Sequence, residues 1–202
     1  MPTPSDAPPP ARRASAKGIA RRQEILDRAL EVFARRGSER TSLRAIAREV
    51  GVTHAALTHY FASLEELLVA VYRESERRLD EAGPAAHAAT PVEAMRVSAQ
   101  QNRAVPGLVQ LYTSLVAAAL EADRPAATAF VADRFERLRA GMAEQVRENQ
   151  RAGLVRDDVD PEHVAALVIA ASDGLQTQWL LDGEVALDGS LALLEHLLRP
   201  DR

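Results

Sequence analysis

The stretch from Thr41 to Phe61, TSLRAIAREVGVTHAALTHYF, constrains the fold of this chain more than any other. Its apolar residues and its glycine fit two short helices joined by one tight turn. Ala47 is small where the second helix must approach closely, and Gly51 can take a positive φ that ends the first helix without a Cβ penalty. The Thr53 hydroxyl can then cap the second helix. The spacing therefore predicts a helix-turn-helix hairpin.

The second helix of this hairpin has a short, polar outer face. Leu57 and Phe61 fit its inward face. A step of about 100° per residue then leaves four side chains turned away from the core or beside that face at the helix start: His54, Ala55, Thr58 and His59. Such a helix suits the major groove of DNA, which admits an α-helix and presents hydrogen-bonding base edges. The alternative from this stretch alone is an ordinary helical hairpin with a solvated face.

The net charge of −4 is unevenly distributed along the chain. Residues 1–64 hold 11 basic against 6 acidic side chains, whereas residues 65–202 hold 14 against 23. This asymmetry fits a small phosphate-facing module on an acidic body. Residues 1–18 are proline-rich and contain Arg12, Arg13 and Lys17, so they are predicted to form a disordered basic arm. That arm either adds phosphate contacts or is simply solvated.

The rest of the sequence predicts helices and no strand. Ser63 and Glu66 form a capping box that opens a helix, which Gly83 and Pro84 end near residue 82. The segment 83–91, GPAAHAATP, is the predicted linker. Further helices are predicted at 91–102, 106–121, 124–151, 161–182 and 189–198. Their starts are marked by four prolines and two candidate N-caps: Pro91, Pro106, Pro125, Pro161, Asp123 and Asp160.

These segments predict an all-α fold with two domains. An N-terminal three-helix domain that contains the helix-turn-helix spans residues 19–79, and a second helical domain spans residues 92–202. The absence of cysteine argues against disulfides and thiolate metal sites. The N-terminus has no apolar signal region, and no run reaches the roughly 18 to 20 apolar residues of a membrane span. We expect a cytoplasmic protein without a membrane partner.

The last two long segments bear on assembly. Residues 163–181 and 191–198 are more apolar than a surface helix requires. Small residues in the first of them allow close backbone approach: Ala165, Ala166, Ala170, Ala171 and Gly174. These helices form either an intramolecular core or a two-fold, four-helix interface with a second copy. We favour the homodimer because a reader of palindromic DNA needs one.

Residues Ile25 to Leu68, with ILDRALEVFARRG, the hairpin sequence and SLEELL, resemble the DNA-binding domain of the TetR family of bacterial transcriptional regulators. The resemblance implies that residues 53–61 read the major groove of double-stranded operator DNA and that the final two helices form the homodimer. It also implies that a small-molecule effector in the C-terminal domain shifts the spacing of the two reading helices. Repression is the commoner mode in the family.

The resemblance assigns roles to residues of the hairpin. It implies that Ser42, Arg44 and Thr53 contact phosphates and that Tyr60 contacts the DNA backbone. The remaining four would face bases or backbone: His54, Ala55, Thr58 and His59. The family usually has a glycine, an aromatic residue and a lysine where Ala55, Thr58 and Leu64 stand here. Because the lysine is replaced, we expect binding to depend more on the arm and on Arg44 or Arg48.

The middle helices supply candidate residues for the effector pocket. A pocket of this kind is mostly apolar with a few polar groups. The candidates are Met95, Asn102, Tyr112, Phe130, Phe135, Gln176 and Trp179. Plain core packing is the favoured alternative for each of them, most clearly for Phe130 and Phe135 and least for Tyr112 and Trp179, whose polar tips need partners. The scarcity of cations among them favours an uncharged or apolar effector.

Two other classes of protein fit a helical chain. A helical enzyme is disfavoured because the five histidines form no HExxH or other metal spacing, and because no glycine-rich phosphate loop or nucleophile elbow is present. We therefore predict no catalytic residue, metal or cofactor. A helical adaptor that binds protein through its apolar C-terminal helices is the other alternative.

Overall fold

A computed structural model describes residues 16–36, 42–83 and 88–200. Within those ranges the backbone forms nine α-helices and no strand, so the all-α prediction is confirmed. The helices are α1 Ala16–Arg36, α2 Leu43–Val50, α3 His54–Tyr60, α4 Leu64–Ala82, α5 Pro91–Ala104, α6 Leu108–Ala119, α7 Pro125–Arg151, α8 Pro161–Leu181 and α9 Leu187–Leu197. Most of the predicted arm, Thr41 and positions 84–87 of the predicted linker lie outside the described residues.

The turn between α2 and α3 has the predicted form. Gly51 ends α2 with a φ of 72°, a left-handed conformation that favours glycine. The Ser42 hydroxyl oxygen caps α2 by accepting from the Ala45 N–H at 3.2 Å. The Thr53 hydroxyl oxygen caps α3 in the same way, from the Ala56 N–H at 3.1 Å. Local backbone chemistry thus sets the angle at which α3 leaves α2.

The starts of α4 and α5 are also those expected from the capping boxes. The Ser63 hydroxyl oxygen accepts from the Glu66 N–H at 3.0 Å, and the Glu66 carboxylate accepts from the Ala62 N–H at 2.9 Å. The carboxylate therefore reaches one residue further back than the N-cap itself. Thr90 and Glu93 repeat this arrangement at the start of α5.

Two predicted helix starts, those of α6 and α9, and one predicted N-cap are wrong. α6 begins at Leu108 and not at Pro106, because Gly107 occupies the N-cap position with a φ of 77°. Asp123 does not cap α7, since its φ of 61° is left-handed whereas an N-cap residue is normally extended. α9 begins at Leu187, two residues before the predicted start. By contrast, Asp160 caps α8 as expected by accepting from the Glu162 N–H at 2.8 Å.

Two apolar cores hold the helices together. The first combines α1 to α4 with residues of α6 and α7, among them Leu108, Leu111 and Phe130. The second joins α5, α7, α8 and α9 around residues such as Val168 and Leu191. The domain limits 19–79 and 92–202 stay a prediction. The first core, however, contains side chains from both sides of the predicted linker.

Gly107 lies at a close approach between α1 and the start of α6. A Cβ atom at this position would lie 2.6 Å from the Ala34 Cα atom and 2.7 Å from its Cβ atom. Only a residue without a side chain fits against α1 there, and only glycine takes its positive φ at little cost. This contact fixes the first three helices against the body of the molecule.

Candidate nucleic-acid interface and effector site

α3 is held from one side and exposed on the other. Leu57 and Phe61 are buried, with 0% and 3% of their surface exposed, so the inward face is formed as expected. The side chains exposed on the opposite side are those of His54, Ala55, Thr58 and His59. Because the core contacts use only the inward face, the outer face can approach a duplex groove without disturbing the packing.

Two side chains of this outer face have defined local contacts. The Thr58 hydroxyl donates to the Ala55 carbonyl oxygen at 3.0 Å, which leaves its oxygen available as an acceptor. The His59 ring lies edge-to-face against the Tyr60 ring, with 5.5 Å between centroids and 74° between planes. Tyr60 itself is half-buried and packs against the first core. The His59 imidazole is therefore positioned by an anchored neighbour.

The predicted phosphate contacts lie at the starts of α2 and α3. The Ser42 and Thr53 oxygens accept backbone hydrogen bonds, so each hydroxyl proton is still free to be donated. Arg44 and Arg48 are exposed on α2, and neither forms an ion pair within the described chain. Hydroxyl and guanidinium donors suit phosphate oxygens. The DNA contacts of these residues and of the outer face of α3 stay a prediction.

The predicted effector residues do not form one cluster. Met95 is buried in the second core and Phe130 in the first. Phe135 is half-buried and packs against both cores. The Asn102 amide donates to Gln176 at 3.4 Å. The structure therefore brings together only some of these candidates.

Tyr112 and Trp179 each lie beside a charged residue that sequence reasoning did not single out. The Tyr112 hydroxyl donates to the Asp173 carboxylate at 2.9 Å. Trp179 is half-buried, and the Arg103 guanidinium lies 5.7 Å from its ring centroid. These two candidate side chains therefore contact charged groups and not only apolar side chains.

Tyr112 belongs to a buried polar cluster formed with Tyr72, Glu76, Arg134 and Asp173. Arg134 is only 6% exposed, and its Nε donates to Glu76 at 3.1 Å. Its guanidinium lies 4.6 Å from the Tyr112 ring centroid. The Tyr72 ring stacks on Tyr112 with a centroid distance of 5.2 Å. The cluster joins α4, α6, α7 and α8 inside the molecule.

Burial dominates the electrostatics of this cluster. It raises the pKa of Tyr72 to about 12 and also raises the pKa values of Tyr112 and Asp173. Glu76 is paired with Arg134, whereas the Asp173 carboxylate forms no ion pair within the described chain. When Asp173 is ionised, the cluster holds two carboxylates and one guanidinium. Since Glu76 also pairs with Arg137 at 3.9 Å, the carboxylate left without an ion-pair partner in the described chain is that of Asp173, next to the aromatic rings.

Part of this cluster left a signal in the sequence. Arg134 lies four residues after Phe130, which puts a charged side chain on the buried face of α7. Asp173 is the sole acidic residue between His163 and Leu181, the most apolar long segment. A charge at an apolar helical position is seldom buried without a role or a partner. Tyr72 and Glu76 on α4 carry no comparable signal.

The outer side of α8 and α9 is apolar. Exposed large side chains are Leu167, Leu181, Leu193 and Leu197, at 60%, 88%, 58% and 59% exposure. On α8 they continue a stripe of exposed small residues at helical spacing: Ala166, Ala170 and Gly174. We call these seven residues the C-terminal apolar face. By length and composition alone, α8 is long and apolar enough to cross a membrane. Within its most apolar stretch of 18 residues, 33% is buried inside the molecule.

Metal binding has no visible site in the part of the chain that the structure describes. No group of three or more His, Cys, Asp or Glu side chains is close enough there to hold an ion.

Two family models match the chain. The model described as "Bacterial regulatory proteins, tetR family" matches residues 25–71. The model described as "BetI-type transcriptional repressor, C-terminal" matches residues 84–199. Together they cover both the helix-turn-helix region and nearly all of the helices that follow it.

Individual proteins match over most of their length. The chain is 32% identical to the HTH-type transcriptional regulator BetI of Rhizobium meliloti over 184 residues, which are 87% of this chain and 86% of the relative. It is 28% identical to the HTH-type transcriptional repressor Rv1474c of Mycobacterium tuberculosis over 182 residues, 89% and 94% of the two chains. A transcriptional regulator from Saccharomonospora viridis, solved in complex with choline, has the same fold, with a TM-score of 0.70, 22% identity and coverage of 89% and 95%.

Proposed function

Because the chain belongs to the TetR family of bacterial regulatory proteins, we propose that it is a homodimeric repressor that binds a palindromic operator and is released by a small molecule. Repression is supported by the description of the matching C-terminal model and by the name of the mycobacterial relative. The proposed domains are the DNA-binding residues 19–79 and the effector and dimer residues 92–202, joined through 83–91. A regulator of chromosomal genes acts in the cytoplasm.

The exposed outer face of α3, opposite the buried Leu57 and Phe61, is the observation that carries the proposal. In this proposal His59 and Thr58 meet base edges, and Ser42, Thr53 and Arg44 meet phosphates. An imidazole can donate to or accept from a base edge, whereas Ala55 can only pack against a thymine methyl or the backbone. Base contacts specify a sequence, and phosphate contacts hold the helix in register without selecting one.

The experiment for DNA reading is selection of bound sequences from random duplexes by the full chain. A two-fold symmetric consensus is expected, because two copies present the same helix to two half-sites. His59→Ala should change the preferred base at one position of each half-site. Arg44→Ala should weaken binding to all sequences by a similar factor. The assignment of contacts is wrong if the two variants alter the selected sequences in the same way.

The C-terminal apolar face supports the homodimer. An isolated protein seldom leaves several large aliphatic side chains exposed on neighbouring helices, and such patches usually mark an interface. The small side chains of Ala166, Ala170 and Gly174 let a second α8 approach closely. Two copies of α8 and α9 would form a four-helix interface, in which the same surface is used by both subunits.

The buried polar cluster supports an effector with a positive charge. Asp173 is a half-buried carboxylate, and its one hydrogen-bond donor in the described chain is the Tyr112 hydroxyl. An organic cation would supply the missing countercharge, and the aromatic rings favour a cation that sheds its water easily. The uncharged effector expected from the sequence rested on candidates that did not include Arg134 or Asp173. The choline complex of the Saccharomonospora regulator fits the same chemistry.

The cluster also connects the proposed effector to α3. Arg134 is bonded to Glu76 of α4, and α4 begins at Leu64, close after the end of α3 at Tyr60. A cation beside Asp173 changes the field at Arg134 and thus the strength of its bond to Glu76. A difference of about 1 to 3 kcal/mol between the two states is enough for the coupling that regulators of this kind need.

Choline and its uncharged carbon analogue 3,3-dimethylbutan-1-ol form a matched pair of probes for the effector. Choline should release the full-length protein from its selected operator, and the analogue should not. Asp173→Asn should abolish release while operator binding without choline is kept. Asp133→Asn, which changes an exposed carboxylate on α7, is the control. Equal responses to the two probes would contradict a cationic effector but leave the DNA-binding proposal intact.

A further inference from the structure

A cleft of about 570 Å³ lies between α1, α4 and the start of α7. Its floor is apolar and includes Phe61, Val69 and Phe130. Its walls carry the guanidinium groups of Arg22 and Arg73. None of the five residues of the buried polar cluster lines it. The cleft is therefore separate from the proposed effector site, and its volume is within the usual range for small-molecule sites.

The two arginines of this cleft are held by aromatic rings and not by acids. The Arg22 guanidinium on α1 lies 5.1 Å from the ring centroid of Phe61, and that of Arg73 on α4 lies 5.5 Å from the ring centroid of Phe130. Neither forms an ion pair with any residue that the structure describes. A guanidinium over a ring face is oriented and partly desolvated without losing its charge.

The other charged residues around the cleft are already engaged. Arg77 donates to Glu74 at 2.8 Å and also pairs with Glu81. The hydrogen bond from Arg77 lowers the pKa of Glu74 to about 2, so Glu74 is ionised and fully matched. Glu66 accepts from the Ala62 N–H at the start of α4. The Glu66 carboxylate forms no ion pair in the described chain, so Arg22 and Arg73 leave the lining of the cleft with an excess of one positive charge.

We propose that this cleft binds a small organic anion with a flat aromatic body. The carboxylate of such a ligand would accept charge-assisted hydrogen bonds from Arg22 and Arg73. Its aromatic body would pack on the accessible apolar lining of the cleft at Ala70, Ala126 and Ala129. An inorganic anion lacks that apolar area, and an uncharged aromatic compound leaves the guanidinium groups unmatched.

The position of the cleft gives the bound anion a regulatory effect. Arg22 and Phe61 belong to the region of the helix-turn-helix, whereas Phe130 belongs to α7. A ligand that bridges them ties the reading helix to the body of the molecule at a second place. It therefore changes operator affinity independently of the cation that we place beside Asp173, and this second input goes beyond the proposed function.

Isothermal titration of the full-length protein with 2-naphthoate tests the site. We expect saturable binding that Arg22→Gln and Arg73→Gln each weaken by about tenfold or more, because each loses a charged hydrogen-bond donor. Arg139→Gln is the matched control, since Arg139 is also an exposed arginine without an ion pair in the described chain but does not line the cleft. It should leave the affinity unchanged. The neutral analogue 2-naphthalenemethanol should bind at least tenfold more weakly than 2-naphthoate.

Two results would overturn the proposal. The first is absent or non-saturable binding of 2-naphthoate, or binding that Arg139→Gln weakens as much as the cleft variants do. The second is a salt slope of operator binding that is smaller by about 0.9 in Arg22→Gln and in Arg73→Gln, without any effect on 2-naphthoate, which would assign these arginines to DNA phosphates. Asp173→Asn should leave 2-naphthoate binding unchanged, so failure of the cationic effector and failure of this site are separate outcomes.

Discussion

Leu64 is the first residue of α4 and stands where TetR-family sequences usually have a lysine. Its side chain is half-buried and packs against the first core. At this position, where the resemblance implies a phosphate contact by the family's lysine, the chain has apolar packing. A lysine at this position could keep its aliphatic stem on the core while its ammonium group reaches water or a phosphate.

Leu64→Lys should strengthen operator binding and steepen its salt dependence. One added phosphate contact increases the slope of log K against log salt concentration by about 0.9. Gln110→Lys adds the same charge at an exposed position on α6 and should change the slope much less. Fluorescence anisotropy with a labelled operator over a salt series measures both variants. An unchanged slope and affinity in Leu64→Lys would contradict a phosphate-facing position.

Asp173 lowers the free energy of unfolding of the protein by an amount that depends on pH. Its pKa is raised by burial, so the folded state binds the proton more tightly than the unfolded chain does. The contribution of this proton to the free energy of unfolding is fully present below the unfolded-state pKa of Asp173. It is lost as the pH rises through the folded-state pKa. Asp173→Asn should therefore be more stable than the wild type at neutral pH, with the gain shrinking as the pH falls.

Urea denaturation over a pH series measures this difference in the free energy of unfolding. Asp133→Asn changes an exposed carboxylate and should stay within about 0.5 kcal/mol of the wild type at each pH. If Asp173→Asn is instead destabilised at neutral pH, the charged form of Asp173 is a structural partner of the cluster and not a site held ready for a cation.

Local features of these residues could be predicted from the sequence, and distant pairings could not. The caps by Ser63 and Thr90 involve atoms three residues away, so the sequence order already places donor and acceptor together. The bond from Arg134 to Glu76 joins residues 58 positions apart. Its existence depends on how α7 packs on α4, which no local pattern specifies.

At the scale of helices, a substitution in the C-terminal apolar face can distinguish the folding of one subunit from the proposed assembly of two. Gly174 lies on the exposed side of α8, and a Cβ atom there would meet nothing within 4 Å. A larger side chain at this position is therefore accommodated by the single subunit. In the proposed homodimer, however, it would stand between the two copies of α8.

Gly174→Arg should give a folded monomer. Replacing a helical glycine removes a cost of about 1 kcal/mol, so the thermal midpoint of the subunit itself should not fall. Loss of the paired half-sites should reduce operator affinity by about 10² or more. Gly141→Arg is the matched control on α7, where a Cβ atom also meets nothing within 4 Å. Sedimentation velocity that finds Gly174→Arg as dimeric as this control would contradict the assigned interface.

Some helix starts could be predicted from the sequence and others could not. Proline at the first turn correctly marked α5, α7 and α8, because its fixed φ and missing N–H suit that position wherever it occurs. The start of α6 predicted from Pro106 was wrong because that start is set by the approach of Gly107 to Ala34. That approach is a property of tertiary packing.

At the scale of the whole molecule, Gly107 controls how the helix-turn-helix region docks. Gly107→Ala should cost about 1 to 2 kcal/mol for the left-handed backbone and a further 1 to 3 kcal/mol for the collision with Ala34. Gly153→Ala is the matched control, with a φ of 70° but nothing within 4 Å of the added Cβ atom. Chemical denaturation compares the two, and equal losses would contradict a tight α1 contact.

The division of the first core between α1 to α4 and the two helices α6 and α7 bears on how parts of such regulators can be exchanged. Leu108, Leu111 and Phe130 complete the hydrophobic interior beneath the DNA-reading helices. A chimera that transplants residues 16–83 onto an unrelated scaffold would leave that interior open to solvent unless the recipient offered side chains of matching volume. Biosensors assembled from this protein should therefore include α1 to α4 together with α6 and the first half of α7.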